Sequence, residues 1–124
     1  MALEQKITKA ILSAKRHLDN SQKSIAEHNQ DALANHVWKA SAELEYALFL
    51  FTVLRQTEDR THSWKVNLKS RELELAPVVT STQELVTNAQ THFEDGDLQE
   101  AHKNAWLARG HLLEVQNFLE KKRQ

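Results

Sequence analysis

Apolar residues recur along this chain in steps of three and four. Over about residues 2–28 they form one stripe: Leu3, Ile7, Ala10 with Ile11, Ala14, Leu18, Ser21 and Ile25. From about Asn29 to Gln56 a second stripe runs through Leu33, Val37, Ala40, Leu44, Ala47 and Phe51. Such spacing keeps side chains on one face of a helix. The pattern then returns as Leu75, Val78 with Val79, Thr82, Val86, Ala89 and Phe93, followed by Ala101, Ala105, Ala108, Leu112, Val115 and Leu119. Sliding residues 3–56 onto 71–124 without a gap superimposes these stripes. It also gives nine identities, Asn20/Asn88, Trp38/Trp106, Ala40/Ala108 and Leu44/Leu112 among them, where chance supplies about three or four. The predicted architecture is an all-α, antiparallel four-helix bundle, one domain over residues 1–124. It is built from two duplicated helical hairpins, about 2–56 and 70–124, joined by a crossover linker over about 57–69. The near-heptad spacing predicts the small crossing angles of a left-handed bundle.

The turns carry separate signals. Gly96 suits the left-handed conformation that ends a helix. Asp97 can cap the next helix, with Glu100 three residues on completing a capping box. Asn29 occupies the matching cap position in the first half. The Phe93-Glu94-Asp95-Gly96-Asp97-Leu98 turn resembles the inter-helix turn of several helical-repeat families, a hairpin device without chemistry of its own. Pro77 predicts either a kink in the third helix or its true start, and Ser81 with Glu84 offers a second start. In the linker, Trp64, Val66 and Leu68 alternate with polar residues, as an extended strap would. An early start to the third helix is the other reading of that stretch.

Helix two holds more apolar surface than one bundle seam needs. Trp38, Tyr46, Phe49, Leu50 and Val53 lie beyond its stripe. The fourth helix has Glu114, Gln116, Asn117, Lys121 and Lys122 at the positions matching Tyr46, Leu48, Phe49, Val53 and Leu54. A helix apolar on most sides is covered on most sides. The expected cover is a second copy of the chain or another protein, through Trp38, Tyr46, Phe49, Leu50 and Val53. The competing expectation is that Trp64, Val66 and Leu68 of the linker cover it.

Composition narrows the function classes. A chain of 124 residues with 2 glycines and 1 proline does not suit a turn-rich β fold. A net charge of −1 gives no field that favours nucleic acid or an anionic membrane as partner. With no cysteine, disulfides, thiolate metal sites and cysteine nucleophiles are excluded. The first residues lack an apolar signal region, and the run Tyr46–Phe51 is far too short to span a bilayer, so a cytoplasmic protein is expected.

The candidate chemistry centres on seven histidines. None has a glutamate three residues before it and none lies four from another, so no di-metal or zinc-helix pattern is present and neither a metal nor a cofactor is expected. The segment Asn35-His36-Val37-Trp38-Lys39-Ala40-Ser41-Ala42-Glu43-Leu44 resembles the helix motif of histidine-phosphotransfer domains. That resemblance implies a phosphoryl acceptor at His36 and a steadying charge at Lys39; Ala40 stands where that family has a glycine. Arg55 and His62, with six residues between them in Arg-Gln-Thr-Glu-Asp-Arg-Thr-His, resemble the Arg-to-His motif of HEPN ribonucleases. There Arg55 would steady phosphate charge and His62 would move a proton. In bland terms His36 is a solvated residue beside core Val37, and Arg55 to His62 is a helix end followed by a polar loop. The expected function is a non-enzymatic interaction module, with phosphotransfer and ribonuclease activity as the alternatives.

Overall fold

The computed structural model describes residues 2–56 and 74–123. The linker expectation for 57–69, with Trp64, Val66 and Leu68 as covering residues, lies outside the described residues, as does His62. Four helices are described: α1 (Ala2–Ala26), α2 (Gln30–Arg55), α3 (Leu75–Glu94) and α4 (Leu98–Arg123). Among the described residues there is no strand.

The helices form a square. α1 packs on α2 and α3, and α4 packs on α3 and α2. Side-chain pairs give the directions. Lys15 Nζ donates to Gln90 Oε1 at 3.1 Å, Gln83 Nε2 to Asp19 Oδ1 at 2.8 Å, and Gln22 Nε2 to Thr80 Oγ1 at 2.8 Å. Rising numbers on α1 meet falling numbers on α3, so these helices are antiparallel. The same holds for α2 and α4, where Arg55 meets His102 and Glu45 meets Arg109. Every adjacent pair is therefore antiparallel, and α2 and α3, on a diagonal, run the same way. The ends that the crossover joins, Arg55 and Leu75, lie at opposite ends of the bundle. Helices of 26 residues, such as α2 and α4, reach about 39 Å.

Burial follows the repeated frame. Ala10, Ile11, Ala14, Leu18 and Ser21 are buried, and so are their counterparts Val78, Val79, Thr82, Val86 and Ala89. Along α2 and α4 the pairs Leu33/Ala101, Val37/Ala105, Ala40/Ala108, Leu44/Leu112, Ala47/Val115 and Phe51/Leu119 are buried on both members. Three of the buried hydroxyls are satisfied locally. Ser21, Ser24 and Thr82 each donate to the carbonyl four residues back, at 2.8, 3.0 and 2.8 Å.

The hairpin turns are the same device twice. In the first, the His28 N–H bonds Ile25 O at 3.1 Å and the Asn29 N–H bonds Ser24 O at 2.9 Å. In the second, the Gly96 N–H bonds Phe93 O at 3.1 Å and the Asp97 N–H bonds His92 O at 2.8 Å. Each is a Schellman closure whose last residue at once caps the next helix. Asn29 Oδ1 accepts from the Ala32 N–H at 3.1 Å, and Asp97 Oδ1 from the Glu100 N–H at 3.2 Å. Only this half of the expected capping box forms, because the Asp97 N–H is already spent on His92 O. The left-handed position is Gly96 (φ 84°) in one turn and His28 (φ 55°) in the other.

Of the two readings of Pro77 the structure takes the helix start, and one expectation, for Leu50, is corrected. Helix α3 starts at Leu75, so Pro77 is its third residue, and Ser81 sits inside the helix. The first four N–H groups of a helix have no partner within it, so a proline there removes nothing. Leu50, expected on the outer face of α2, is buried at 5% exposure and belongs to the core. At 100° per residue it falls on the flank that α2 turns to α1, between Tyr46 and Glu43.

The two turns should respond oppositely to mutation. A Cβ built at Gly96 meets nothing within 4 Å, so only backbone strain opposes it. Gly96→Ala should lower stability by about 1 kcal/mol in urea unfolding, the left-handed penalty less the entropy removed from the unfolded chain. His28→Gly at the equivalent position should leave stability unchanged or raise it by a few tenths of a kcal/mol.

Candidate functional site

Among the described residues, the outer corner of α2 is a largely exposed apolar surface. Trp38 is 61% exposed, Tyr46 44%, Phe49 62% and Val53 47%. With exposed Ala42 they are spaced four, four, three and four residues apart, which makes one ridge along the solvent side of α2. At 1.5 Å per residue the ridge is about 22 Å long. Its counterpart on α4 keeps Trp106 but is polar at Glu114, Asn117 and Lys121. The ridge is bordered toward α4 by Glu45, which pairs with Arg109 at 3.6 Å. The Glu45 side chain is 57% exposed, so this ion pair orients more than it stabilises.

Arg55 and His102 come together at the far end of α2. The Arg55 guanidinium donates to His102 Nδ1 at 2.9 Å. Because arginine has no acceptor, His102 accepts at Nδ1 and carries its proton at Nε2. The ring of His102, 2% exposed, stacks on Phe51 at 5.4 Å, and Phe51 meets Phe93 edge to face at 5.6 Å. This cluster ties the last turn of α2 to the first turn of α4. The sequence motif had linked Arg55 to His62 instead, and His102 had no assigned role.

His36 is half-buried on the flank of α2 that faces α1, with its Nδ1 buried and without a hydrogen-bond partner. Lys39, three residues on, is exposed. His36, Lys39 and Glu43 all act electrostatically on His17 of α1, as does Arg16. Among the described residues no group of three or more His, Asp, Glu or Cys side chains could hold a metal ion, and no helix is long and apolar enough to cross a membrane.

Sequence reasoning missed one further feature. An open groove of about 590 Å³ lies over α1 and is closed on one side by α2. Lys6, Lys9, Leu12, Ser13 and Arg16 of α1 line it together with Glu43 and Tyr46 of α2. The signal was present in the run 6, 9, 13, 16, an outer helical stripe opposite the apolar one. Placing Tyr46 and Glu43 beside it needed the register of the hairpin.

No protein-family model, no curated protein and no solved structure matches the chain.

The histidines set a pH dependence. His17 titrates below the ordinary 6.5, first because it is partly buried and then because Arg16 stands beside it; Glu43 opposes the shift, and Lys39 and His36 add to it. His111 on α4 is lowered by burial. A lowered histidine binds fewer protons folded than unfolded just below 6.5. The stability it contributes is present above that value and is lost as pH falls through the folded pKa. The melting temperature should therefore fall between pH 7.5 and pH 5. Replacing both residues, His17→Gln with His111→Gln, should flatten that slope, as followed by circular dichroism.

Proposed function

We propose that this chain is a non-enzymatic protein–protein interaction module whose partner is a second copy of itself, held through the outer ridge of α2. The observation that carries the reading is the exposure of Trp38 and Phe49, both above 60%, on a ridge with no structural task inside the bundle. Large aromatic side chains bury about 150–250 Å² each, so Trp38, Tyr46 and Phe49 leave on the order of 350 Å² open. A patch of that size lies within the roughly 300–600 Å² of the largest apolar patch on a typical monomer, a patch that is often functional.

An isologous contact fits the order of residues along the ridge. With α2 antiparallel to its copy and the two-fold axis between Glu45 and Tyr46, Trp38 faces Val53 of the second copy and Ala42 faces Phe49. Large side chains then meet smaller ones in both directions, as a self-complementary interface needs. The open apolar area is below the roughly 800 Å² per partner of a standard interface. The reading is accordingly a reversible dimer, not an obligate one. The repeated burial frame and matching turns support a duplication of one hairpin. On that view the first copy kept an apolar outer face where the second became polar. Phosphotransfer and ribonuclease activity are not carried forward, since His36 is half-buried between helices and Arg55 is engaged by His102.

Sedimentation equilibrium tests the dimer. The chain should be monomeric at low micromolar concentration and dimeric at hundreds of micromolar. Phe49→Glu should abolish the dimer, while Asn117→Glu, at the matching position of α4, should not. A wild-type monomer throughout that range would refute the reading.

A further inference from the structure

The groove over α1 is chemically unlike the ridge of α2. Lys6, Lys9 and Arg16 rise from one outer stripe of α1, spaced three and seven residues apart. On a helix these steps correspond to about 4.5 and 10.5 Å. Ser13 lies between them, and Leu12 and Tyr46, 47% and 44% exposed, give the groove apolar walls. Glu43 is the one acidic residue among those that line it. By contrast, Lys15, also on α1, is tied to Gln90 across the α1–α3 seam. Three cations facing an open groove with one carboxylate among them leave an excess of positive charge there, on a chain whose net charge is −1.

We infer that this groove docks an acidic amphipathic helix of a partner protein, with carboxylates matched to Lys6, Lys9 and Arg16 and an aliphatic side chain set against Leu12 and Tyr46. Charge complementarity selects an acidic occupant. The apolar walls select a peptide over a polyphosphate backbone, because a phosphate chain would leave Leu12 and Tyr46 without a counterpart and would meet Glu43 at close range. Nucleic-acid affinity also rises with the number of phosphates neutralised, and three cations in a groove this short neutralise few. A helix lying in a groove presents one face at regular steps, and the seven-residue step between Lys9 and Arg16 matches two turns of such a helix. This inference does not rest on the dimer: of the ridge residues only Tyr46 lines the groove, and Phe49, Trp38 and Val53 do not.

The test is a fluorescence-anisotropy titration of the full chain against a labelled, alanine-rich peptide of about 18 residues, long enough to be partly helical. It carries Glu at positions i, i+7 and i+10, with Leu between them on the same face. Saturable binding is expected, weakened at least tenfold by Lys9→Glu with Arg16→Glu and weakened by added salt. At low micromolar chain, where the dimer is not populated, Phe49→Glu should leave it unchanged, which separates failure of this inference from failure of the dimer. Circular dichroism confirms that each variant is folded. The inference is overturned if a peptide with the same Glu and Leu residues in scrambled order binds equally well. It is also overturned if the double variant binds as the wild type does, if single-stranded DNA binds more tightly than the peptide, or if no binding is seen.

Discussion

The structure depends on one constraint: each helix must bury a single stripe, and the four stripes must meet at one axis. Small residues make this possible where α2 and α4 face the core. Ala40, Ala47, Ala101, Ala105 and Ala108 are fully buried, so the backbones can approach closely over the middle of the bundle. Bulk is concentrated at one end, where Phe51, Phe93 and His102 pack ring against ring. Arg55 closes that end with a charge-assisted bond that spans two helices. With the core completed this way, the outer face of α2 is left largely exposed among the described residues. Its aromatic residues add little burial there, and under the proposed reading a partner covers them.

The two hairpins share what folding needs and differ where folding is indifferent. Both turns use the same pair of backbone bonds and the same side-chain cap. Even the left-handed residue recurs, although one hairpin fills it with glycine and the other with histidine. On the outside the hairpins differ. α1 carries Lys6, Lys9 and Arg16 where the second hairpin has Glu74 just before α3 and Pro77 and Glu84 within it. α2 carries Tyr46 and Phe49 where α4 carries Glu114 and Asn117. Both departures place distinct chemistry on the first hairpin, apolar on one helix and cationic on its neighbour.

Most of the fold was legible because periodicity reports burial directly. The stripes, the Asn29 and Asp97 caps and the role of Gly96 were all readable from residue type and spacing. Leu50 was not, since an apolar residue at the edge of a stripe belongs to the core or to the surface according to where the neighbouring helix sits. The start of α3 was also obscured. Proline breaks a helix interior yet is harmless in the first turn, and sequence alone does not say which turn holds Pro77. The polar seam of Lys15, Asp19 and Gln22 with Gln83, Thr80 and Gln90 keeps helical spacing, but polar residues so spaced read equally as a solvated face. It exists only because α1 and α3 are antiparallel neighbours. The groove was hidden for the same reason, since its α1 and α2 walls are about thirty residues apart in the chain.

Tyr46 belongs to both proposed surfaces. It closes the groove over α1, and it stands at the centre of the α2 ridge, beside the two-fold axis of the dimer. A side chain that contacts two ligands in different ways couples their binding, and the coupling free energy is reciprocal. If an acidic helix draws the Tyr46 ring toward Leu12, the dimer loses contact area at its centre, where a small interface has least to spare. Dimerisation would then weaken the helix's binding by the same factor. The sign follows from geometry: one ring cannot pack fully against both partners. A chain with these two surfaces and one shared tyrosine would exchange its self-association for an acidic partner, without any change in the bundle that holds them.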